Sequence, residues 1–117
     1  MNIEQWQIAL REVTGVSGVL GAMVISADDG LVVAETAMDD LATADVAALA
    51  AALVTRAARS SNAMQTSAPQ TVYLVGERGA LFAVAGPESL WLVAVARHDA
   101  ELGRLRLLMR DFASVLH

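Results

Sequence analysis

The sequence predicts an α/β fold of the α+β type: a three-layer sandwich with a five-stranded, mostly antiparallel sheet between helices. One central and two terminal segments carry apolar residues at helical spacing, and five short apolar runs are bounded by turn residues. The runs 19–26 and 90–96 are apolar on both faces, which is typical of strands covered on both sides. The order α-β-β-α-β-β-β-α predicts one long helix on one face and two terminal helices on the other.

The composition is that of a folded, unusually apolar domain. Of 117 residues, 56% are hydrophobic and the mean hydropathy is +0.49, so one domain over residues 1–117 is expected. No apolar run reaches the roughly 18–20 residues of a membrane-spanning helix, and residues 1–6 lack the positive charge of a signal peptide. We therefore expect a cytoplasmic protein without membrane insertion.

Charge and cysteine content narrow the function classes. The net charge is −5, every basic residue is arginine, and no basic stripe is visible, so binding to nucleic acid is not expected. The absence of cysteine excludes disulfides, thiolate catalysis and cysteine-ligated zinc. Large apolar patches usually mark protein interfaces, so a domain this apolar is expected to self-associate. The alanine- and arginine-rich usage favours a bacterial source.

The first half begins with a helix and a β-hairpin. Residues 2–14 place apolar side chains three and four apart, and Gly15 ends this amphipathic helix. The apolar runs 19–26 and 31–36 flank Asp28-Asp29-Gly30. An Asp-Gly pair between two such runs predicts a tight hairpin turn, because glycine accepts the positive φ that the turn requires.

The residues that could carry chemistry do not combine into an active site. The glycines of segment 15–21 lack the spacing of a phosphate-binding loop, and they fit a tight turn between helix and strand. Asp28 and Asp29 have no third ligand nearby and fit the turn. His98 and His117 are expected to be surface residues. No catalytic residue, metal or cofactor is therefore expected, and the protein is not predicted to be an enzyme.

The central helix is predicted over residues 44–63, after a linker at 38–41 and with Thr43 as its N-cap. Its bulky stripe is expected to lie on the sheet and consists of Val46, Leu49, Ala50, Leu53, Ala57 and Met64. The opposite face consists of Ala48, Ala51, Ala52, Thr55, Arg59 and Asn62. Solvated helix faces are normally charged, whereas this one is mostly methyl groups, so it is interpreted as an interaction surface. Alanine drift in the genome is the alternative, and Arg56 and Arg59 fit either an acidic partner or an ordinary surface.

The second half predicts three strands, 71–75, 80–85 and 90–96, and an amphipathic helix over 100–116. Strand 31–36 carries Glu35, a charge that discourages pairing, whereas strand 71–75 is an edge without any charge. Such an edge pairs readily with another strand, and its own copy about a two-fold axis is the simplest partner. The residues of this predicted interface are Thr71, Val72, Tyr73, Leu74 and Val75.

The chain as a whole resembles the Roadblock family, which includes dynein light chains and bacterial relatives. The likeness lies in the alanine-rich central helix and in the segments Gly15-Val16-x-Gly18, Gly21-Ala22-Met23-Val24-Ile25-Ser26, Asp29-Gly30-Leu31-x-Val33-Ala34, Gly79-x-Leu81-Phe82-x-Val84 and Leu102-Gly103-x-Leu105-Arg106. The resemblance implies a homodimer or heterodimer joined through the central helix and the third strand. Bacterial members, a gliding-motility regulator among them, look like partners of Ras-like GTPases, and nothing in the family requires a catalytic residue from the Roadblock chain.

The expected function is therefore a non-enzymatic, dimeric platform that regulates or scaffolds a small Ras-like GTPase. A tethering module without a GTPase partner is the alternative. A small-ligand sensor would need polar side chains facing the core, and the strands offer only Ser26, Thr71 and Tyr73.

Overall fold

The structure is a computed structural model that describes residues 3–38 and 40–116. The elements are α1 (Ile3–Thr14), β1 (Val19–Ser26), β2 (Val32–Thr36), α2 (Thr43–Ala63), β3 (Thr71–Val75), β4 (Gly79–Ala85), β5 (Leu90–Arg97) and α3 (Leu102–Leu116). Asn2, Asp39 and His117 of the sequence predictions lie outside the described residues, as do the side chains of Val115 and Leu116. In the described part of the chain, no helix is long and apolar enough to cross a membrane.

The five strands form one antiparallel sheet in the order β2-β1-β5-β4-β3. The last strand, β5, lies in the centre, where Met23 of β1 pairs with Val93 and Phe82 of β4 pairs with Ala94. The edges are β2 and β3. This arrangement confirms the predicted fold class and strand assignment.

Two cores lie on opposite faces of the sheet. On one face, Leu10 of α1 and Leu105 and Met109 of α3 are buried against a strand layer that includes Leu92. On the other face, a layer that includes Val93 packs against α2. Neighbouring residues of one strand thus serve different cores, as the period of two requires. Each fully buried side chain of leucine size stabilises the fold by about 1.5–3 kcal/mol.

Close backbone approach accounts for two of the early glycines. A Cβ at Gly21 would lie 2.5 Å from the Met38 sulfur and 2.8 Å from the Ala37 carbonyl oxygen, because the segment after β2 crosses β1 there. Gly18 has a φ of +90°, and a Cβ on it would lie 2.4 Å from the Cβ of Ala100. Both glycines therefore serve tight packing.

The start of α2 differs from the prediction. Ala42, not Thr43, occupies the N-cap position, and no side chain caps the helix. The Thr43 hydroxyl donates instead to the carbonyl oxygen of Leu41, at 3.5 Å. Thr43 has already entered the helical turn, so its hydroxyl cannot reach the first orphan amides as an N-cap would.

The predicted orientation of α2 is also wrong in part. Leu49 and Met64 are 69% and 66% exposed, whereas Ala47, Ala51 and Val54 are buried on the sheet. Because α2 is apolar on nearly every side, the sequence pattern does not select one face. Alanines at the contact let the helix backbone lie close to the sheet.

Candidate interaction surface

Six of the predicted interface residues line one groove of about 370 Å³ between α2 and the β1–β2 turn. They are Ala48, Ala51, Ala52, Thr55, Arg56 and Arg59. We call this the hairpin groove; its other wall is residues 27–30. Leu31 donates its backbone N–H to the Asp29 carboxylate at 3.0 Å, and Gly30 has a φ of +72°. The two aspartates are thus turn residues, as predicted.

The hairpin groove is lined by both signs of charge. Arg56 and Arg59 are exposed, and Asp28 and Asp29 are also among the lining residues. Among residues 3–38 and 40–116, the ion pairs are Arg97 with Asp99 and Arg104 with Glu101. The two groove arginines therefore form no ion pair in that range and are available to a partner.

Ala51 differs from its predicted neighbours in the groove. Its side chain is only 7% exposed and packs in the core under α2, whereas Ala48 and Ala52 are exposed. A Cβ built on Gly30 would lie 3.7 Å from the Cβ of Ala51. Ala51 therefore serves mainly the packing of α2 against the hairpin turn and offers little surface to a partner.

The free edge of β3 is defined by its hydrogen-bond register. Ala85 donates to the Gln70 carbonyl at 2.8 Å, and Gly76 donates to the Gly79 carbonyl at 2.9 Å. Hydrogen-bonded residues alternate along an antiparallel strand, so the even-numbered residues of β3 face β4. Thr71, Tyr73 and Val75 direct their backbone N–H and C=O groups to the free edge. Tyr73, Leu74 and Val75 are also 37%, 58% and 60% exposed.

An apolar groove that the sequence analysis missed lies on the face of the sheet that carries α2. It has a volume of about 580 Å³, and its lining includes Leu20, Leu74, Leu81 and Val95. Leu20 is 41% exposed, and Leu81 packs at the border of the α2 core. A helix about 10 Å wide cannot cover five strands spaced about 4.8 Å apart, and that mismatch was a signal available in the sequence.

The α2 residues and the β3 residues of the predicted interface line different grooves. The hairpin groove contains no β3 residue, while Leu74 and Val75 line the apolar groove. Val72 is half-buried against the core under α2. Within one protomer, the predicted interface residues thus lie in two places, at the hairpin groove and along β3.

No cluster of three or more histidine, cysteine, aspartate or glutamate side chains that could hold a metal occurs in the described part of the chain. Its buried side chains are all apolar. The surfaces described above consist of apolar side chains, unpaired strand groups and arginines.

Solved structures share this fold at low sequence identity. MglB of Myxococcus xanthus superposes with a TM-score of 0.85 at 13% identity, over 97% of this chain and 85% of that one. The gliding protein MglB of Thermus thermophilus gives 0.84 at 23% identity, over 97% and 86%. A Roadblock/LC7 domain of Streptomyces avermitilis gives 0.81 at 19% identity, over 92% and 91%.

Sequence comparison identifies the family directly. None of the curated proteins matches the sequence. The family model of the Roadblock/LC7 domain matches residues 6–96, which include all five strands except the last residue of β5. Members of this family are generally non-enzymatic binding modules. The chain belongs to the Roadblock/LC7 family.

Proposed function

We propose that this protein is a non-enzymatic, cytoplasmic homodimer that serves as a binding platform for a small Ras-like GTPase, which it regulates or scaffolds. The observation that carries the proposal is the uncharged, unpaired β3 edge beside an exposed apolar groove. The family resemblance supplies the class of partner, and one structural neighbour, MglB of Thermus thermophilus, is named as a gliding protein.

The β3 edge can pair with itself in a symmetric register. Tyr73 is the central residue of Thr71–Val75 and directs its backbone groups outward, so it can face Tyr73 of the partner subunit. Thr71 then faces Val75 of the partner subunit. Each such pair exchanges two hydrogen bonds, so the edge supplies about six and joins two five-stranded sheets into one.

Apolar burial would add to these hydrogen bonds. Leu74 lies beside the two-fold axis and lines the apolar groove, and the partner's α2 would lie on the same face of the joined sheet. Leu49 is an exposed leucine of α2, so it is available to that contact. An edge strand together with an exposed apolar surface is a stronger basis for dimerisation than either alone.

The hairpin groove is the part of the proposed interface assigned to the GTPase. It contains no β3 residue, so pairing through β3 would leave Arg56 and Arg59 free on each protomer. An acidic loop beside a nucleotide site would complement these arginines. The two-fold axis presents two such grooves, which fits a scaffold or a regulator that contacts one GTPase with both protomers.

A pull-down from lysate of the source organism tests the proposal. Tagged protein is incubated with lysate containing either a GTP analogue or GDP, and captured proteins are identified by mass spectrometry. We expect a Ras-like GTPase, recovered more strongly with the analogue. The double variant Arg56→Glu/Arg59→Glu is expected to lose most of it, whereas Arg11→Glu/Arg104→Glu, with the same net charge, retains it.

The other possible outcomes distinguish a GTPase platform from a tethering module. Recovery of other proteins without a GTPase, under either nucleotide, would contradict the GTPase proposal and support the tethering module. Equal recovery by both double variants would place the contact away from the hairpin groove. Purified GTPase and its hydrolysis rate, with and without this protein, then distinguish regulator from scaffold.

A further inference from the structure

The opposite side of β3 carries a second surface, in which the strand meets α3. Tyr73 packs on Phe82 with a centroid distance of 4.7 Å and an interplanar angle of 44°. A hollow of about 260 Å³ there is lined by Tyr73, Val75, Phe82, Leu102, Gly103 and Arg106. A second, of about 370 Å³, is lined by Gln70, Thr71, Ala85, Arg110, Ala113 and Ser114. We call the two together the α3 trough.

The trough follows the strand. Val75 at the end of β3 shares a hollow with the start of α3, and Thr71 at the beginning of β3 shares one with residues 110–114. The helix therefore runs antiparallel to the strand along its full length. The strand forms the floor, with exposed backbone and an aromatic ring, and one flank of α3 forms the wall.

The charge of the trough is of one sign. Arg106 and Arg110 are among its lining residues, and no aspartate or glutamate is among them. Neither arginine belongs to an ion pair within residues 3–38 and 40–116, whereas Arg104, on another side of α3, pairs with Glu101 at 3.7 Å. In a chain of net charge −5, this flank is a local basic surface that attracts carboxylates.

Gly103 places no side chain on the α3 wall at one end of the trough. A Cβ on it would meet no heavy atom within 4 Å, and its φ lies outside the left-handed region. Glycine inside a helix is less favourable than alanine, and the described contacts of this chain do not require it. The position leaves the helix backbone open to close approach from outside.

The dimer proposed above would place two troughs side by side, and the present inference rests on it. Because α3 packs over β4, two α3 helices would be separated by about three strand spacings, or about 14 Å. Helices with side chains are about 10 Å across, so the slot between them is too narrow for a third helix on its floor. The remaining gap of about 4 Å is close to the spacing of about 4.8 Å that one extended backbone occupies in a sheet, so an extended chain is the segment that matches the slot.

We propose that the paired α3 troughs bind an extended acidic segment of a partner protein. Its carboxylates would contact Arg106 and Arg110 of both subunits, and its apolar side chains would lie on the two Tyr73 rings. This surface faces away from the hairpin groove side of the sheet, so the segment and a GTPase could be bound at once.

Fluorescence anisotropy with a labelled octapeptide of alternating glutamate and valine tests the site, with a lysine–valine octapeptide as the charge control. We expect the wild type to bind the acidic peptide at least about tenfold more tightly than the basic one. The variant Arg106→Glu/Arg110→Glu should lose at least about tenfold in affinity, and Arg11→Glu/Arg104→Glu should stay within about twofold.

Sedimentation of the same samples keeps the two proposals distinguishable. If the protein is a dimer but does not bind the acidic peptide, the proposed trough site is wrong and the proposed dimer stands. The same holds if both double variants lose the peptide equally. A monomer at every concentration overturns the proposed dimer and the slot. Peptide binding that dissociates the dimer would place the peptide on the β3 edge itself and would also overturn the trough.

Discussion

The two edge strands of the sheet, β2 and β3, have the same length but different surroundings. On β2, an exposed Glu35 lies within the strand, α1 packs over it, and α2 contacts it from the other side. On β3, no charge interrupts Thr-Val-Tyr-Leu-Val, and four of the five residues are exposed. An edge becomes an interface when neither helices nor charges protect it, so β3 is the edge through which the protein is expected to assemble.

The difference comes from where the helices lie across the sheet. The α2 helix has its most numerous contacts with β1 and β2, α1 packs mainly over the same half, and α3 packs mainly over β4. Both faces near β3 are therefore open: Leu74 is exposed on one side and Tyr73 on the other. One strand can thus support a dimer through its edge and separate partners on its two faces.

The largest expected effect concerns the helix that covers the β2 half. Ala51 is buried where α2 meets the hairpin turn, so Ala51→Glu would bury an unpaired carboxylate and lower the free energy of unfolding by about 3 kcal/mol. Ala52→Glu, one position along and exposed, should change it by less than about 0.5 kcal/mol. Urea denaturation of both variants measures this, and equal destabilisation would contradict the orientation of α2.

The second largest expected effect is on dimer affinity, and it is tested by the same substitution on the two edge strands, β3 and β2. Leu74 is 58% exposed on β3 and Val33 is 50% exposed on β2, so glutamate at either position should leave the monomer folded. At Leu74 the charge would be buried against Val72 of the partner subunit, which lies opposite it in the register centred on Tyr73, and we expect dimer affinity to fall about a hundredfold. Analytical ultracentrifugation of Leu74→Glu and Val33→Glu checks this. Weaker dimers from Val33→Glu alone would move the interface to β2.

Much of the fold could be predicted because its boundaries are chemically marked. Gly15, the Asp29-Gly30 pair, Pro69 and Gly86-Pro87 punctuate the chain, and the strands begin and end within one residue of the predicted positions. The last helix begins at Leu102, two residues later than predicted. Local turn chemistry is sufficient for such boundaries, since it depends on a few neighbouring residues.

The candidate surfaces could be predicted only in part, because they depend on how the elements pack. The periodicity of α2 did not distinguish Ala51, which is buried, from Ala52, which is exposed. The apolar groove around Leu20 and Leu74 exists because α2 leaves that part of the sheet uncovered. By sequence alone, Arg106 and Arg110 fit the solvated side of an amphipathic helix, and only the position of β3 beside them reveals a basic trough.

The smallest expected effect is on dimer affinity, and it compares backbone groups of β3 that face the free edge with those that face β4. Val75 directs its N–H to the free edge, so Val75→Pro removes a hydrogen bond from the dimer but none from the β3–β4 ladder. The dimer contains the substitution in both subunits, so two hydrogen bonds are lost. Dimer affinity should therefore fall about tenfold while the monomer keeps its thermal stability. Leu74→Pro instead removes a bond to β4, so it should lower the melting temperature of the monomer itself. Sedimentation gives the dimer affinity, and circular dichroism at a concentration where only monomer exists gives the stability. If Val75→Pro lowered that monomer stability as much as Leu74→Pro does, the outward register of Thr71, Tyr73 and Val75 would be wrong, and the symmetric pairing about Tyr73 with it.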